Sequence, residues 1–194
     1  MTPLVLITSA FAGGHPPVVT DVPPFTGLYS EDVDDLPQGP AATVSTFDGH
    51  VDASVGWFGD VFVSTQFPRS APHQLHGEDP SHPMCLAFPG PVTRFGFYGR
   101  DEGFIGANTY DIVFLDGQNF VDVTFIQADD TYSWYGWSIP IAQQVDTICI
   151  ETAGAFGFTP YMDDLEADFT PSGGDADTDA DTDADTDADL TDPR

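Results

Sequence analysis

The sequence predicts an all-β domain, a β-sandwich of jelly-roll type, on three observations. Short runs rich in Val, Ile, Phe, Tyr and Thr recur at close spacing, turn residues separate them, and no apolar stripe of helical period persists for a useful length. The 194 residues include 16 Phe, 19 Gly and 17 Pro, a composition suited to strands and turns rather than helices. Strands following one another without intervening helices indicate stacked antiparallel sheets, not a parallel α/β sheet.

Residues 1–12 read as a clipped secretory signal. An apolar run from Leu4 to Phe11 closes on Ala10-Phe11-Ala12, the small-x-small pattern that signal peptidase accepts. The run is too short to cross a bilayer, and no basic residue precedes it, so the start codon is expected further upstream. Residues 13–40, GGHPPVVTDVPPFTGLYSEDVDDLPQGP, are crowded with Pro, Gly and acids and show no sustained period. They read as an extended, disordered lead-in.

Residues 41–170 are expected to form the sandwich. Its strand signals are TVSTF, VGWF with DVFVSTQF, VTRFGFYG, YDIVFLD, NFVDVTFIQA, YSWYGW, VDTICIE and MDDLEADF. Asp116-Gly117-Gln118-Asn119 is the clearest turn and predicts a hairpin joining YDIVFL to FVDVTF. Period-two alternation assigns faces. Phe95 and Phe97 are expected to be buried opposite Arg94, and in NFVDVTFIQ the set Val121, Val123, Phe125 and Gln127 is expected to face the core.

Two cysteines stand in apolar settings, Cys85 in PMCLAF and Cys149 in DTICIE. An oxidising exterior would let them form a disulfide, while two buried free thiols suit the same surroundings.

Charge excludes several classes of partner. The formal net charge is −28, Lys is absent, and the four basic residues are Arg69, Arg94, Arg100 and Arg194. The tail from Asp175 holds nine Asp and one Arg, so most of the acidity belongs to the rest of the molecule. A field of this sign repels nucleic acid and anionic lipid, because few cations exist to displace counterions from phosphate. No nucleic-acid partner and no membrane insertion of the mature chain are expected. Divalent cations, neutral glycans and basic proteins remain open.

STFDGHVD, FPRSAPHQL, PGPVTRFGFYG, NTYDIVFLDGQN, YGWSIPIAQQVDTICIE and TPYMDDLEADF occur in an order that resembles galactose-binding-like jelly-roll domains over roughly residues 41–170. The chain looks like the version common in bacterial exported and cell-surface proteins, including those with sorting tags such as PEP-CTERM. It is also similar to jelly-roll carbohydrate-binding modules. The resemblance implies a structural calcium ion held between an early acid in a Phe-Glu-type motif and an acid of the last strand. Here Phe47-Asp48-Gly49 and Met162-Asp163-Asp164-Leu165 match those motifs, so Asp48 and Asp163 are the expected ligands. Carboxylates from distant strands brought together would suit a hard cation that takes six to eight oxygens.

A second functional feature is the aromatic run TYSWYGW. Alternation puts Tyr132 and Trp134 on one face and Tyr135 and Trp137 on the other, and one of those faces must be core. Flat aromatic faces stack on sugar rings. Either pair could form such a platform; Tyr132 and Trp134 are taken as the candidate ligand-binding residues, with Tyr135 and Trp137 the other pair and Trp57 a further aromatic of interest.

His73, His76, His82 and Cys85 offer donors suited to zinc, but the spacing matches no common zinc pattern, and Pro72, Pro80 and Pro83 mark an ordinary loop. No catalytic signature stands out. The five Glu residues, Glu31, Glu78, Glu102, Glu151 and Glu166, do not form the Glu-x-Asp-x-x-Glu arrangement of jelly-roll glycosidases. There is neither a G-x-S-x-G elbow nor a phosphate loop with its Lys.

The C-terminal segment, residues 171–194, ends in GDADTDADTDADTDADLTDPR. An EF-hand loop needs acids at positions 1, 3 and 5, Gly at 6 and an acid at 12. Only the register starting at Asp181 ends on an acid, Asp192, and it places Thr186 where Gly is required. The segment reads as a solvated, disordered acidic spacer. Together these features predict an exported or cell-surface, non-catalytic module that binds carbohydrate or another surface ligand and is stabilised by calcium. A structural or adhesive protein without a small-ligand site is the first alternative, and a glycoside hydrolase-like enzyme the second.

Overall fold

The computed structural model describes residues 18–56, 59–66, 68–70, 72–77, 82–101, 108–152 and 159–171. The expected signal segment, the acidic repeat and Trp57 lie outside them.

Among the described residues fourteen strands run β1 (Thr20–Asp21), β2 (Tyr29–Glu31), β3 (Gly39–Ala41), β4 (Thr43–Thr46), β5 (Val51–Val55), β6 (Val61–Ser64), β7 (Gln74–Gly77), β8 (Met84–Ala87), β9 (Val92–Arg100), β10 (Asn108–Asp116), β11 (Asn119–Ala128), β12 (Ser133–Ser138), β13 (Thr147–Thr152) and β14 (Tyr161–Phe169). They form two antiparallel sheets. The larger is ordered β1-β12-β9-β14-β7-β6-β3, with β2 also paired to β14; the smaller is ordered β11-β10-β13-β8-β5-β4. The all-β sandwich expected from the sequence is what the chain adopts.

Alternation puts one face of each sheet into a shared core. Val61, Val63, Leu75, Phe95, Phe97, Trp137, Met162 and Leu165 from the larger sheet meet Val51, Met84, Leu86, Tyr110, Ile112, Phe114, Ile148 and Ile150 from the smaller one. Each large apolar side chain so buried contributes about 1.5–3 kcal/mol. Phe95 and Phe97 are fully buried, as expected, with Arg94 on the opposite face.

The expected hairpin is present: Asp116 pairs with Asn119 across a two-residue loop, and Gly117 takes a positive φ of 59° there, which glycine adopts without a Cβ penalty.

Three expectations are corrected. First, β1, β2 and most of β3 come from the segment read as a lead-in, and they pair with β12, β14 and β6. The sandwich therefore begins well before Ala41. These strands are too short to carry a periodicity, and partners far along the chain supply their ladder bonds.

Second, β11 presents the other face to the core. Ile126 and Ala128 are buried, while Val123 is 41% and Phe125 68% exposed. The register pairs Ile126 with Tyr110 and Thr124 with Ile112, both core residues of β10. A bulge at Phe114/Leu115 leaves Val121 as the extra residue, packed partly against the core. The outer side of β11 carries Val123 and Phe125 exposed, with no second layer of described residues over them, and an apolar alternation does not say which face is which.

Third, the stretch from Pro72 to Cys85 read as a loop contains β7 and the start of β8, and β7 is buried throughout. Cys85 and Cys149 are register partners on β8 and β13 and are joined as a disulfide. That bond removes Cys85 from any metal set.

Candidate functional site

The outer face of the larger sheet, turned away from the core, carries a recess of about 300 Å³. Trp134 on β12 and Tyr98 on β9 are register partners, and their rings meet edge to face with centroids 5.1 Å apart. Phe25, from the segment between β1 and β2, meets Trp134 at 5.5 Å in the same manner. Arg69, Asp164, Glu166, Glu31 and Asp32 complete the lining. Trp134 donates its indole N–H to the carbonyl of Val22 at 3.1 Å, which holds the ring in one orientation and satisfies its polar atom.

The chain from Val22 to Ser30 is strapped across this face by carboxylates of β14. Glu166 accepts the N–H of Gly27 at 2.7 Å and the hydroxyl of Ser30 at 2.6 Å. Asp168 accepts the N–H of Leu28 at 2.7 Å and pairs with Arg94, whose guanidinium lies over Phe25. Arg69 pairs with Asp164 and sits 3.4 Å over the Tyr98 ring. Charge-assisted bonds to backbone N–H groups are stronger than neutral ones, so the wall formed by Pro24 and Phe25 is a built part of the recess.

Of the two expected ligand-binding aromatics, Trp134 lines the recess and Tyr132 does not. Tyr132 donates its hydroxyl to Gln74 at 2.8 Å, and burial pushes its phenol up from the ordinary range. Tyr135 and Trp137 turn to the core, Trp137 among Phe95, Phe97 and Phe114.

Asp48 and Asp163 sit in different surroundings. Asp163 is completely buried and has both carboxylate oxygens engaged: Oδ2 accepts the N–H of Arg69 and Ser70, and Oδ1 accepts the Ser70 hydroxyl and the Asp164 N–H. Burial raises its carboxyl, an effect these bonds partly offset and nearby Asp34 reinforces. Asp48 is exposed in the β4–β5 turn and lines a second recess, of about 310 Å³, with Glu31, Asp32 and Asp35. Glu31, Asp32 and Asp35 each place a donor oxygen within 4.8 Å of the others.

Glu31 also anchors the fold, accepting the N–H of Val33 at 2.8 Å and of Phe47 at 2.6 Å. Burial, together with Asp35 and Asp32, raises its carboxyl against those two bonds. An all-oxygen, carboxylate-rich set of this kind has the chemistry that calcium takes.

Among the described residues, the histidines do not converge on a metal position. His73 Nδ1 is 2.8 Å from the carbonyl of Asp34. His76 is buried between Phe62 and Tyr161, and that burial lowers its imidazole to about 4.

Sequence reasoning missed Tyr98, Phe25, Arg69 and Glu166. One signal was present for Tyr98, since the alternation that buries Phe95 and Phe97 sends Arg94, Gly96 and Tyr98 outward. No local pattern could bring Phe25 and Arg69 to the same place.

No protein-family model matches the chain, and no curated protein does. Among solved structures, a xylan-binding domain from CBM 22, formally x6b domain, superposes with a TM-score of 0.50 at 14% identity, covering 78% of this chain and all of that one. The C-terminal family 22 carbohydrate binding module of Clostridium thermocellum Xyn10B gives 0.49 at 13% identity, over 77% and 96% of the two chains. The chain has the β-sandwich fold of carbohydrate-binding modules. At such identity the likeness extends to the fold alone.

Proposed function

We propose that this protein is an exported or cell-surface, non-catalytic module that binds carbohydrate in the recess of Trp134, Tyr98 and Phe25. The observation that carries the reading is the recess itself: aromatic rings stand beside carboxylates on a face that a structural core would leave plain. Pyranose rings offer apolar C–H faces to aromatic rings, and their hydroxyls donate to carboxylate acceptors. Support for the ligand class comes from the similarly folded xylan-binding domain. The engagement of Asp164 by Arg69 and of Glu166 by the strap favours binding over hydrolysis. Export is supported by the Cys85–Cys149 bridge, which belongs to oxidising compartments. Among the described residues no helix is long and apolar enough to cross a membrane.

The test is affinity electrophoresis against a panel of soluble polysaccharides, comparing the protein with Trp134→Ala and Tyr98→Ala. Retardation by at least one glycan, lost in both variants with an unchanged circular dichroism spectrum, is expected. Retardation that survives both substitutions rejects this recess as the platform.

The structural calcium ion remains part of the proposal, at a changed position. Asp163 is taken up by the Arg69–Ser70 backbone, whereas Asp48 lies beside Glu31, Asp32 and Asp35. Glu31 and Asp35, with Asp48 adjacent, would hold the ion and tie β2 to the β4–β5 turn, leaving Asp32 to the aromatic recess. A melting temperature higher in calcium than in chelator, with the difference lost in Asp35→Asn, is expected. An equal melting temperature in both removes calcium from the reading.

A further inference from the structure

The charge around the aromatic recess says which carbohydrate it takes. Glu31, Asp32, Asp164 and Glu166 line it against a single guanidinium, that of Arg69. The cations of this face are already committed. Arg69 pairs with Asp164 and covers Tyr98; Arg94 pairs with Asp168 and covers Phe25. Arg100 lies toward Tyr132, 5.8 Å from its ring centroid. Lys is absent from the sequence altogether. A glycan bearing uronate or sulfate groups would bring negative charge into a lining whose one guanidinium is already paired with Asp164, inside a molecule of formal charge −28.

The recess already shows what it accepts. The Arg69 guanidinium rests on the face of Tyr98 while bonded to a carboxylate, the arrangement in which aromatic faces and acids together hold a cation. Asp32 is exposed, and among its carboxylate oxygens only Oδ1 has an internal bond described, to the N–H of Asp34. Asp32 thus lines the recess as an exposed carboxylate with acceptor capacity to spare.

Resting on the carbohydrate reading above, we infer that the ligand is a glycan carrying free amino groups, a glucosamine-type oligosaccharide lacking N-acetyl groups. Its sugar ring packs on Trp134 and its ammonium is received by Asp32 and the neighbouring Glu166. An N-acetyl group would replace that ammonium with a bulkier neutral amide and abolish the charge pairing. A neutral glycan would gain the stacking but leave the carboxylates without a counter-charge.

Isothermal titration calorimetry at low and at physiological ionic strength tests this with a glucosamine trimer, its fully N-acetylated counterpart, xylotriose and trilysine. The glucosamine trimer is expected to bind at least tenfold more tightly than the acetylated trimer, and to weaken several-fold with salt. Trp134→Ala should abolish its binding, while Asp32→Asn, compared with the wild type in the presence of chelator, should weaken it several-fold with an unchanged circular dichroism spectrum.

Trilysine controls for attraction of any polycation to an acidic protein. Trilysine binding as tightly as the sugar, or sugar binding indifferent to Trp134→Ala, overturns the inference. Tighter binding of the acetylated trimer or xylotriose, sensitive to Trp134→Ala, overturns it too, and leaves the carbohydrate reading standing. Failure of every sugar to bind overturns both.

Discussion

Trp134 packs directly against Gly96 on the neighbouring strand: a methyl group on Gly96 would come within 2.4 Å of Trp134 Cζ2 and 2.9 Å of the Tyr135 carbonyl. The recess therefore exists because β9 has no side chain at that position. Gly96→Ala must push the indole away or shift β12, and overpacking of this kind costs about 1–3 kcal/mol. A urea-unfolding midpoint lowered accordingly, together with loss of glycan retardation, is the expected result. An unchanged midpoint with retained binding would mean that the ring moves freely.

The face assignment of β11 gives a sharp contrast between adjacent residues. Phe125 is 68% exposed and Ile126 is buried. Phe125→Ser should alter stability by no more than about 0.5 kcal/mol, whereas Ile126→Ala should cost about 2–5 kcal/mol. Chemical denaturation of the pair reads the difference, and the reverse order would restore the face that alternation alone suggests.

The Cys85–Cys149 bridge spans 64 residues of sequence. A closed loop of that length restricts the unfolded chain enough to stabilise the fold by about 4 kcal/mol. Unfolding curves of the Cys85→Ala/Cys149→Ala double variant should show a loss of that order. Alkylation of the unreduced, denatured protein should modify neither cysteine.

His76 ties stability to pH. Its imidazole is held at about 4 in the folded protein by burial, against 6.5 ordinarily. Between those values the unfolded chain binds a proton that the folded one refuses, so the contribution of His76 is complete above pH 6.5 and declines as pH falls toward 4. The full difference amounts to about 3 kcal/mol. Asp163 and Glu31, raised by burial, act in the opposite sense: their ionisation weakens the fold as pH rises. Comparison with His76→Gln separates the terms. The stability gap between wild type and variant should narrow from pH 7 to pH 4.5, and a constant gap would place His76 outside the linkage.

The sequence by itself determined the class of fold, the β10–β11 hairpin and the burial of Phe95 and Phe97. It also determined that Trp134 and Trp137 lie on opposite sides of their strand. These follow from period-two alternation and turn chemistry, which act over a few neighbouring residues. Only the tertiary structure decided which side of β12 was core, because alternation defines two faces without ranking them. The same ambiguity reversed β11, whose apolar outer residues no second layer covers.

Tertiary structure also decided the membership of the recess. Phe25 and Trp134, more than a hundred residues apart in sequence, meet because Glu166 and Asp168 on the last strand accept the backbone N–H groups of Gly27 and Leu28. Asp163 carried the motif expected of a calcium ligand, yet its oxygens were claimed by the Arg69–Ser70 segment. A short acidic motif specifies a carboxylate, and only the packed chain specifies which donors reach it first.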